Sequence, residues 1–175
     1  MGGAREEALA LVARAHAGSP FTLVGIGGRG GTGKSTLAAA IPGAQVVSTD
    51  GFWDGQRFEL DRLRHEVLEP LGRGEAACFG VYDWGHGRRG GRREVTPTGV
   101  VVVEGVCALH RTLRESYAVR LWLEAPYEVR LARGIARDGE SARSTWVDVW
   151  MPAEDAYVAR DDPVSCAHLV VDGTR

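Results

Sequence analysis

The chain has 175 residues, of which 44% are apolar and 25% are charged, as is typical of one soluble globular domain. A formal net charge of -2 gives no general attraction to nucleic acid or to an anionic membrane. Cys78, Cys107 and Cys166 lack the paired spacing of zinc or redox sites and are expected to be reduced core thiols. We therefore expect a cytoplasmic protein that binds small molecules; homo-oligomerisation stays open.

The apolar pattern predicts strands and helices that alternate along the chain. Strand-like runs occupy residues 21–26, 45–48, 100–103, 119–123 and 168–171. Segments with helical spacing separate them, and this alternation is typical of a parallel sheet covered by helices on both faces. The sequence thus predicts one α/β domain over residues 1–175 with a five-stranded parallel sheet.

Three segments between the strands have distinct patterns. Residues 57–71 have a helical apolar stripe, and residues 127–137 and 141–160 predict two further helices. Residues 76–98 combine apolar alternation with glycines and predict a projecting β-hairpin.

A glycine-rich motif joins the first strand to the first helix of the sheet. Residues 28–35 read GRGGTGKS, a complete G-x-x-x-x-G-K-[ST] phosphate loop. Lys34 is the only lysine beside twenty arginines, which suggests that this position needs a compact ammonium. Glycines let backbone N–H groups converge on phosphate oxygens, Lys34 would neutralise the outer phosphates, and Ser35 would offer its hydroxyl to Mg²⁺. The predicted ATP-binding residues are Gly28, Gly30, Gly31, Thr32, Gly33, Lys34, Ser35 and Thr36.

Two carboxylates directly follow strands of the predicted sheet. Asp50 comes after the second strand and Glu104 after the third. The carboxyl ends of parallel strands meet at one edge, so both acids should face the phosphate loop and form a Mg²⁺ site with Ser35. One acid could also orient an acceptor hydroxyl and accept its proton. Each could instead cap the helix that follows it.

Arginines recur on the helix predicted after Pro126. Arg130, Arg133 and Arg137 lie at i, i+3 and i+7, on one helix face. Such a row could fold over a transferring phosphoryl group as a lid, over about residues 127–143, but a solvated face paired with nearby acids would have the same spacing.

The hairpin segment carries aromatic and basic groups. Tyr82, Trp84 and His86 combine stacking surfaces with hydrogen-bonding groups and suit an aromatic heterocycle, although aromatics packed on the domain would look alike. The arginines of residues 88–93 favour a solvated hairpin tip over a nucleic acid site.

Together these elements resemble the uridine kinase family of P-loop kinases. The resemblance runs in order from about residue 20 to 173 through the phosphate loop, Asp50 with its following aromatics, the Tyr-Asp-Trp hairpin, Val-Glu-Gly at 103–105, and the arginine helix. It implies a P-loop NTPase three-layer sandwich with a β-hairpin insertion and an arginine-bearing lid helix. It also implies transfer of the ATP γ-phosphoryl to a primary hydroxyl, most readily that of a pyrimidine nucleoside.

The resemblance also assigns residue roles. Asp50 would be the base or orienting carboxylate, and Lys34, Arg133 and Arg137 would support phosphoryl transfer. Ser35, Asp50 and Glu104 would complete the magnesium shell. The residues implied for acceptor binding are Glu59, Tyr82, Trp84, His86 and Arg130.

This chain departs from the family pattern mainly where the acceptor would bind. The family usually has Asp where Glu59 stands and Tyr where Trp53 stands, and its Tyr-Asp-to-His interval is longer. Another hydroxyl metabolite or an antibiotic therefore stays open as acceptor. A nucleotide-sensing protein without turnover is a further alternative, although the absence of asparagine excludes the Asn-Lys-x-Asp guanine signature.

Overall fold

The computed structural model describes residues 3–174, and seven β-strands occur within them. They are β1 (Phe21–Gly28), β2 (Gln45–Ser48), β3 (Ala77–Asp83), β4 (Arg88–Val95), β5 (Gly99–Glu104), β6 (Val119–Glu124) and β7 (Leu169–Asp172). Five form a parallel sheet in the order β2-β5-β1-β6-β7, and β3 and β4 form a separate antiparallel hairpin. The predicted strands, sheet and hairpin are confirmed.

Helices connect and cover the strands. They are α1 (Ala4–His16), α2 (Lys34–Ala40), α3 (Leu60–Leu63), α4 (Glu69–Gly72), α5 (Tyr127–Asp138), α6 (Arg143–Thr145) and α7 (Met151–Asp161). A π-helical turn over Arg64–Leu68 joins α3 to α4, and another over Trp146–Trp150 joins α6 to α7. No helix among residues 3–174 combines the length and apolar character needed to cross a membrane.

The sheet separates two apolar layers because the central strands are buried on both faces. On one face, Val24 and Ile26 of β1 pack with α1 and α2. On the other, Leu23 packs with Val101 and Val103 of β5 and with Trp122 of β6, under α3, α4 and α7. Continuous β-branched runs suit such strands, whose side chains meet apolar partners on both sides.

The hairpin differs in one respect from the sequence prediction. Its turn comprises residues 84–87, so the arginines of residues 88–93 lie along β4 and not at the tip. The Asp83 carboxylate accepts backbone N–H bonds from Gly85 and His86, and Gly87 takes a positive φ of 62°. The prediction failed because it placed the tip at these arginines, whereas the Asp83 side chain and a left-handed glycine at Gly87 close the turn before Arg88.

The cysteine prediction was wrong for Cys78. This thiol is exposed on β3, because its side chain alternates outward between the buried Ala77 and Phe79. Cys107 and Cys166 are partly buried, and burial raises the pKa of the Cys107 thiol to about 12.

A close helix contact holds the arginine helix in place. Gly134 of α5 lies against the ring of Trp146, where an added Cβ would overlap the indole. Trp146 is 2% exposed, and its Nε1 donates to Asp138 at the end of α5. Glycine at this position is therefore a packing requirement for the two helices.

We expect Gly134→Ala to lower the free energy of unfolding by about 2 kcal/mol, because overpacking at a buried contact outweighs the gain in helix propensity. Urea denaturation measures the change. Gly72→Ala is the matched control, since nothing lies within 4 Å of its added Cβ, and it should be neutral or slightly stabilising. Equal stabilities of the two variants would contradict the packing argument.

Candidate active site

The phosphate loop joins the end of β1 to the start of α2. Gly31 and Gly33 take positive φ values of 77° and 94°, which L-residues rarely adopt. Gly31 also lies against the backbone of Arg130, whose carbonyl oxygen would be 2.6 Å from an added Cβ. Steric and conformational limits thus both require glycine at Gly31.

Lys34 is the buried charge of the site. Its side chain is 9% exposed, and its Nζ donates to the backbone carbonyl of Arg29 at 2.9 Å. Burial lowers the pKa of Lys34 below its ordinary value, while the negative charges of Glu104, Glu154 and Asp50 oppose this shift. Three acids therefore surround the one ammonium.

Strand register brings Ser35, Asp50 and Glu104 to one edge of the sheet. Glu104 at the end of β5 lies opposite Ser48 on one side and Ile26 on the other, and Asp50 follows two residues after Ser48. The Ser35 hydroxyl donates to Glu104 Oε2 at 3.2 Å. Burial raises the pKa of Glu104, and the neighbouring Lys34 ammonium lowers it. Asp50 is exposed, and its charge acts on both Lys34 and Glu104.

The oxygens of this edge suit a magnesium ion. Mg²⁺ prefers hard oxygen ligands and usually combines one or two carboxylates with water and substrate phosphates. The Ser35 hydroxyl and the Glu104 carboxylate are already adjacent, and Asp50 is within electrostatic reach of Glu104. The part of the chain that the structure describes has no group of three or more His, Cys, Asp or Glu residues able to hold a metal.

The three predicted lid arginines make different contacts. Arg133 donates through Nη1 to the carbonyls of Gly31 at 3.1 Å and Gly173 at 2.8 Å. Arg137 forms two parallel hydrogen bonds with Asp138, at 2.8 and 2.9 Å. The positive charge of Arg137 also contributes to lowering the pKa of Lys34, although the guanidinium itself contacts Asp138 and the Trp146 ring.

Arg130 is turned inward, away from solvent. Its Nη1 lies 3.3 Å from Glu154 Oε2, and the two side chains are 6% and 10% exposed. The other oxygen of Glu154 accepts the backbone N–H of Gly30 at 2.9 Å. A role for Arg130 in acceptor binding would require it to leave this ion pair.

Sequence reasoning missed Glu154. Its contacts with Gly30 and Arg130 depend on how distant helices pack, and no local motif indicates them. One signal was present: Met151, Glu154, Tyr157 and Asp161 all lie on the buried face of α7. An acid on a buried helix face needs a partner, because an unpaired buried charge is costly.

Glu59 is fully engaged by two arginines. Arg62 Nε donates to its Oε2 at 2.7 Å, and Arg89 of β4 contacts both oxygens at 3.0 and 2.8 Å. Arg62 also stacks on the Phe52 ring and donates to the carbonyl of Gly80, so it is held firmly. The Arg89 side chain is 53% exposed and is the more easily displaced of the two.

The aromatic side chains of the hairpin form a cluster with Trp53. Tyr82 meets Trp84 edge-on, with ring centroids 5.0 Å apart, and Trp84 stacks on Trp53 at 6.0 Å. Trp84 remains 58% exposed. His86 does not join this cluster: its Nδ1 lies 2.8 Å from Asp83 Oδ2, a contact that lowers the pKa of Asp83.

Two adjoining cavities lie outside the phosphate loop, along the carboxyl ends of β6 and β7. One, of about 260 Å³, is lined by residues that include Gly33, Thr36 and Arg133. The other, of about 600 Å³, is lined by residues that include Arg29 and Pro126. They share Thr32, Leu123, Val171 and Asp172 and so form one groove.

No family model matches the chain, but individual proteins do. It is 29% identical over 136 residues to inorganic pyrophosphatase TTM2 of Arabidopsis thaliana, covering 69% of this chain and 20% of that protein. It is 27% identical over 143 residues to uridine kinase of Saccharomyces cerevisiae, covering 66% and 28%. Uridine kinase of Staphylococcus epidermidis is 25% identical over 169 residues, covering 78% and 81%. The chain thus spans less than a third of the first two relatives and most of the third.

Solved structures share the fold. A proposed uridine kinase from Bacillus stearothermophilus superposes with a TM-score of 0.69 at 17% identity, covering 95% of this chain and 98% of that one. A proposed fructose transport system kinase from a Silicibacter species gives 0.58 at 23% identity, covering 98% and 99%. The chain thus has the fold of these uridine kinase-like P-loop structures, and it is similar in sequence to uridine kinases at 25 to 27% identity.

Proposed function

We propose that this protein is an ATP-dependent phosphotransferase that acts on a primary hydroxyl of a small molecule, most readily a pyrimidine nucleoside. The observation that carries the proposal is the convergence of Lys34, Ser35, Glu104 and Asp50 at the mouth of the phosphate loop. A cation that neutralises phosphates, oxygens that suit Mg²⁺ and an exposed carboxylate for an acceptor are the parts that phosphoryl transfer requires. The names of the uridine kinase relatives agree with this chemistry.

The donor nucleotide is proposed to occupy the loop and the groove beside it. Its phosphates would lie on the loop N–H groups at the start of α2, with the ammonium of Lys34 against the outer phosphates. Base and ribose would extend into the groove beside Thr36 and Arg133, a guanidinium able to stack on a base. Bound Mg²⁺, held by Ser35 and Glu104 with Asp50 nearby, would screen the charge of the phosphates.

In the proposed reaction the residues mainly position groups and balance charge. Asp50 would accept a hydrogen bond from the acceptor hydroxyl and orient it in line with the γ-phosphorus. It would take the hydroxyl proton as the new O–P bond forms, while the bond from the γ-phosphorus to the bridging oxygen breaks and ADP leaves. Lys34 and Arg137 would offset the negative charge on the transferring group, and for this Arg137 must exchange Asp138 for phosphate. Arg133 would hold the loop and the residue after β7 together through the carbonyls of Gly31 and Gly173.

The acceptor is proposed to bind between Asp50 and the hairpin. Tyr82, Trp84 and Trp53 offer ring faces for a planar base, and Glu59 offers oxygens for sugar hydroxyls. A ribose reaches Glu59 only by displacing Arg89. The sugar kinase name of one structural neighbour supports another hydroxyl compound as the second candidate acceptor.

The pKa of Lys34 can be measured directly, because it is the only lysine of the sequence. Lysine-selective ¹³C labelling yields one side-chain spin system, which NMR can titrate. We expect its pKa to lie below the ordinary lysine value because of burial, and to rise when Mg·ATP is added, because phosphate charge stabilises the ammonium. An ordinary pKa that does not respond to nucleotide would count against the proposed phosphate site.

Asp50 is expected to act on the acceptor and not on nucleotide affinity. Asp50→Asn should keep the affinity for ATP, measured by calorimetry, within a few fold, while phosphoryl transfer to uridine falls by at least about a hundredfold. Asp61→Asn, an exposed acid on α3, is the matched control and should change neither quantity. If Asp50→Asn and the wild type consume ATP equally and neither responds to an acceptor, the protein is a nucleotide sensor.

Arg89→Ala is expected to change sugar selectivity. Removing Arg89 frees an oxygen of Glu59, so the ratio of kcat/KM for uridine to that for 2′-deoxyuridine should rise about tenfold, the worth of a hydrogen bond to a charged group. Arg93→Ala on the same strand is the control, because the Arg93 side chain is exposed and the contacts to Glu59 come from Arg62 and Arg89. An unchanged ratio would show that Glu59 does not face the sugar.

A further inference from the structure

The segment 29–31 of the phosphate loop is fastened by two helices that are distant in sequence. Gly30 N–H donates to Glu154 Oε1 of α7 at 2.9 Å, and Glu154 Oε2 accepts from Arg130 of α5 at 3.3 Å. The neighbouring Gly31 packs on the Arg130 backbone, and its carbonyl accepts from Arg133. One carboxylate therefore bridges the loop and the arginine helix.

The Gly30 contact is built into the core. As whole residues, Glu154 is 8% exposed and Arg130 is 5% exposed. A Cβ on Gly30 would lie 2.7 Å from Glu154 Oε1 and 2.8 Å from the Trp146 ring. A carboxylate withdrawn from water stays charged only when its oxygens are paired, and here the two oxygens take one N–H donor and one guanidinium. The loop thus has no room for a side chain at Gly30, whose N–H points to Glu154.

The orientation of the Gly30 N–H determines which backbone N–H groups of the loop are free to bind phosphate. A phosphate loop binds polyphosphate because successive backbone N–H groups point into one cavity before the ligand arrives. With Gly30 N–H committed to Glu154, the groups left for phosphate start at Gly31. A loop without this contact would have to be ordered by the nucleotide itself, at a cost in affinity.

We propose that Glu154 is a positioning residue that sets the phosphate loop for nucleotide through the N–H of Gly30. This proposal rests on the proposed function, since the nucleotide is the ligand of the loop. It also assigns Arg130 a partner role: the guanidinium keeps the Glu154 carboxylate oriented and links the loop to α5, the helix that carries Arg133 and Arg137.

Two double variants test the hydrogen bond from Gly30 N–H to the side chain at position 154 separately from the buried charges of the Arg130–Glu154 pair. R130M/E154Q and R130M/E154L both remove the ion pair and preserve volume, so neither leaves an unpaired buried charge. Only the glutamine keeps an oxygen for Gly30 N–H. Asp155→Asn is the control for a general effect of acidity at this turn, because Asp155 is 58% exposed and pairs with the side chain of Arg29.

Two measurements at a temperature well below unfolding decide the proposal. Calorimetry with Mg·ATP should show that R130M/E154Q binds at least about tenfold more tightly than R130M/E154L, and that Asp155→Asn differs from the wild type by less than about twofold. Hydrogen exchange followed by NMR without nucleotide should show the Gly30 amide protected in the wild type and in R130M/E154Q, and rapidly exchanging in R130M/E154L.

Equal nucleotide affinities and equal Gly30 exchange in the two double variants would overturn the proposal and leave Glu154 with a role in stability alone. If the wild type binds no Mg·ATP, the proposed phosphotransfer fails. The exchange of the Gly30 amide then still decides whether Glu154 holds the loop, so the two failures can be told apart.

Discussion

The burial of one ammonium governs the arrangement of the site. Lys34 lies in a region of low dielectric, where burial disfavours its charge, and Glu104, Glu154 and Asp50 counter that penalty from three separate elements. These acids cannot all be satisfied by one cation, so each has a second partner or an exposed face. Ser35 donates to Glu104, Gly30 and Arg130 pair with Glu154, and Asp50 faces solvent. Of the three, only Asp50 is exposed, which suits the proposed contact with an acceptor hydroxyl.

This arrangement follows from the topology of the sheet. In a parallel sheet every strand ends at the same edge, so β1, β2 and β5 deliver a loop and two acids to one place although up to 76 positions of sequence separate them. The hairpin β3–β4 and the helices α5 and α7 then add further side chains near this edge of the sheet. Separation along the sequence therefore does not predict which residues meet in the site, whereas a position at the carboxyl end of a strand does.

That difference explains how much the sequence could predict. The strands, the phosphate loop, Asp50 and Glu104 were predictable, because apolar runs mark the strands and a strand end fixes the location of the next residue. The pairing of Arg130 with Glu154 and of Arg89 with Glu59 was not, because these contacts depend on helix packing and hairpin register across 24 and 30 positions. The hairpin turn was misplaced for a local reason, since glycines at 85, 87, 90 and 91 all permit a turn and only the Asp83 side chain selects one.

The contacts of the phosphate loop are buried, whereas the contacts of the hairpin, where the acceptor is proposed to bind, are largely exposed. On the donor side, buried contacts at Gly30, Gly31 and Lys34 leave little freedom, since each atom that would move is already packed or paired. On the acceptor side, the contacts of Arg89 and Trp84 lie largely in solvent, where an ion pair or an aromatic contact contributes little and can exchange for a ligand. Under the proposed function, substitutions in the hairpin would change the choice of acceptor while the phosphate loop keeps its contacts. The departures of this chain from the uridine kinase pattern at Trp53, Glu59 and the Tyr82-to-His86 interval all fall on this exposed side, so the resemblance to uridine kinases constrains the proposed acceptor less than the proposed phosphate chemistry.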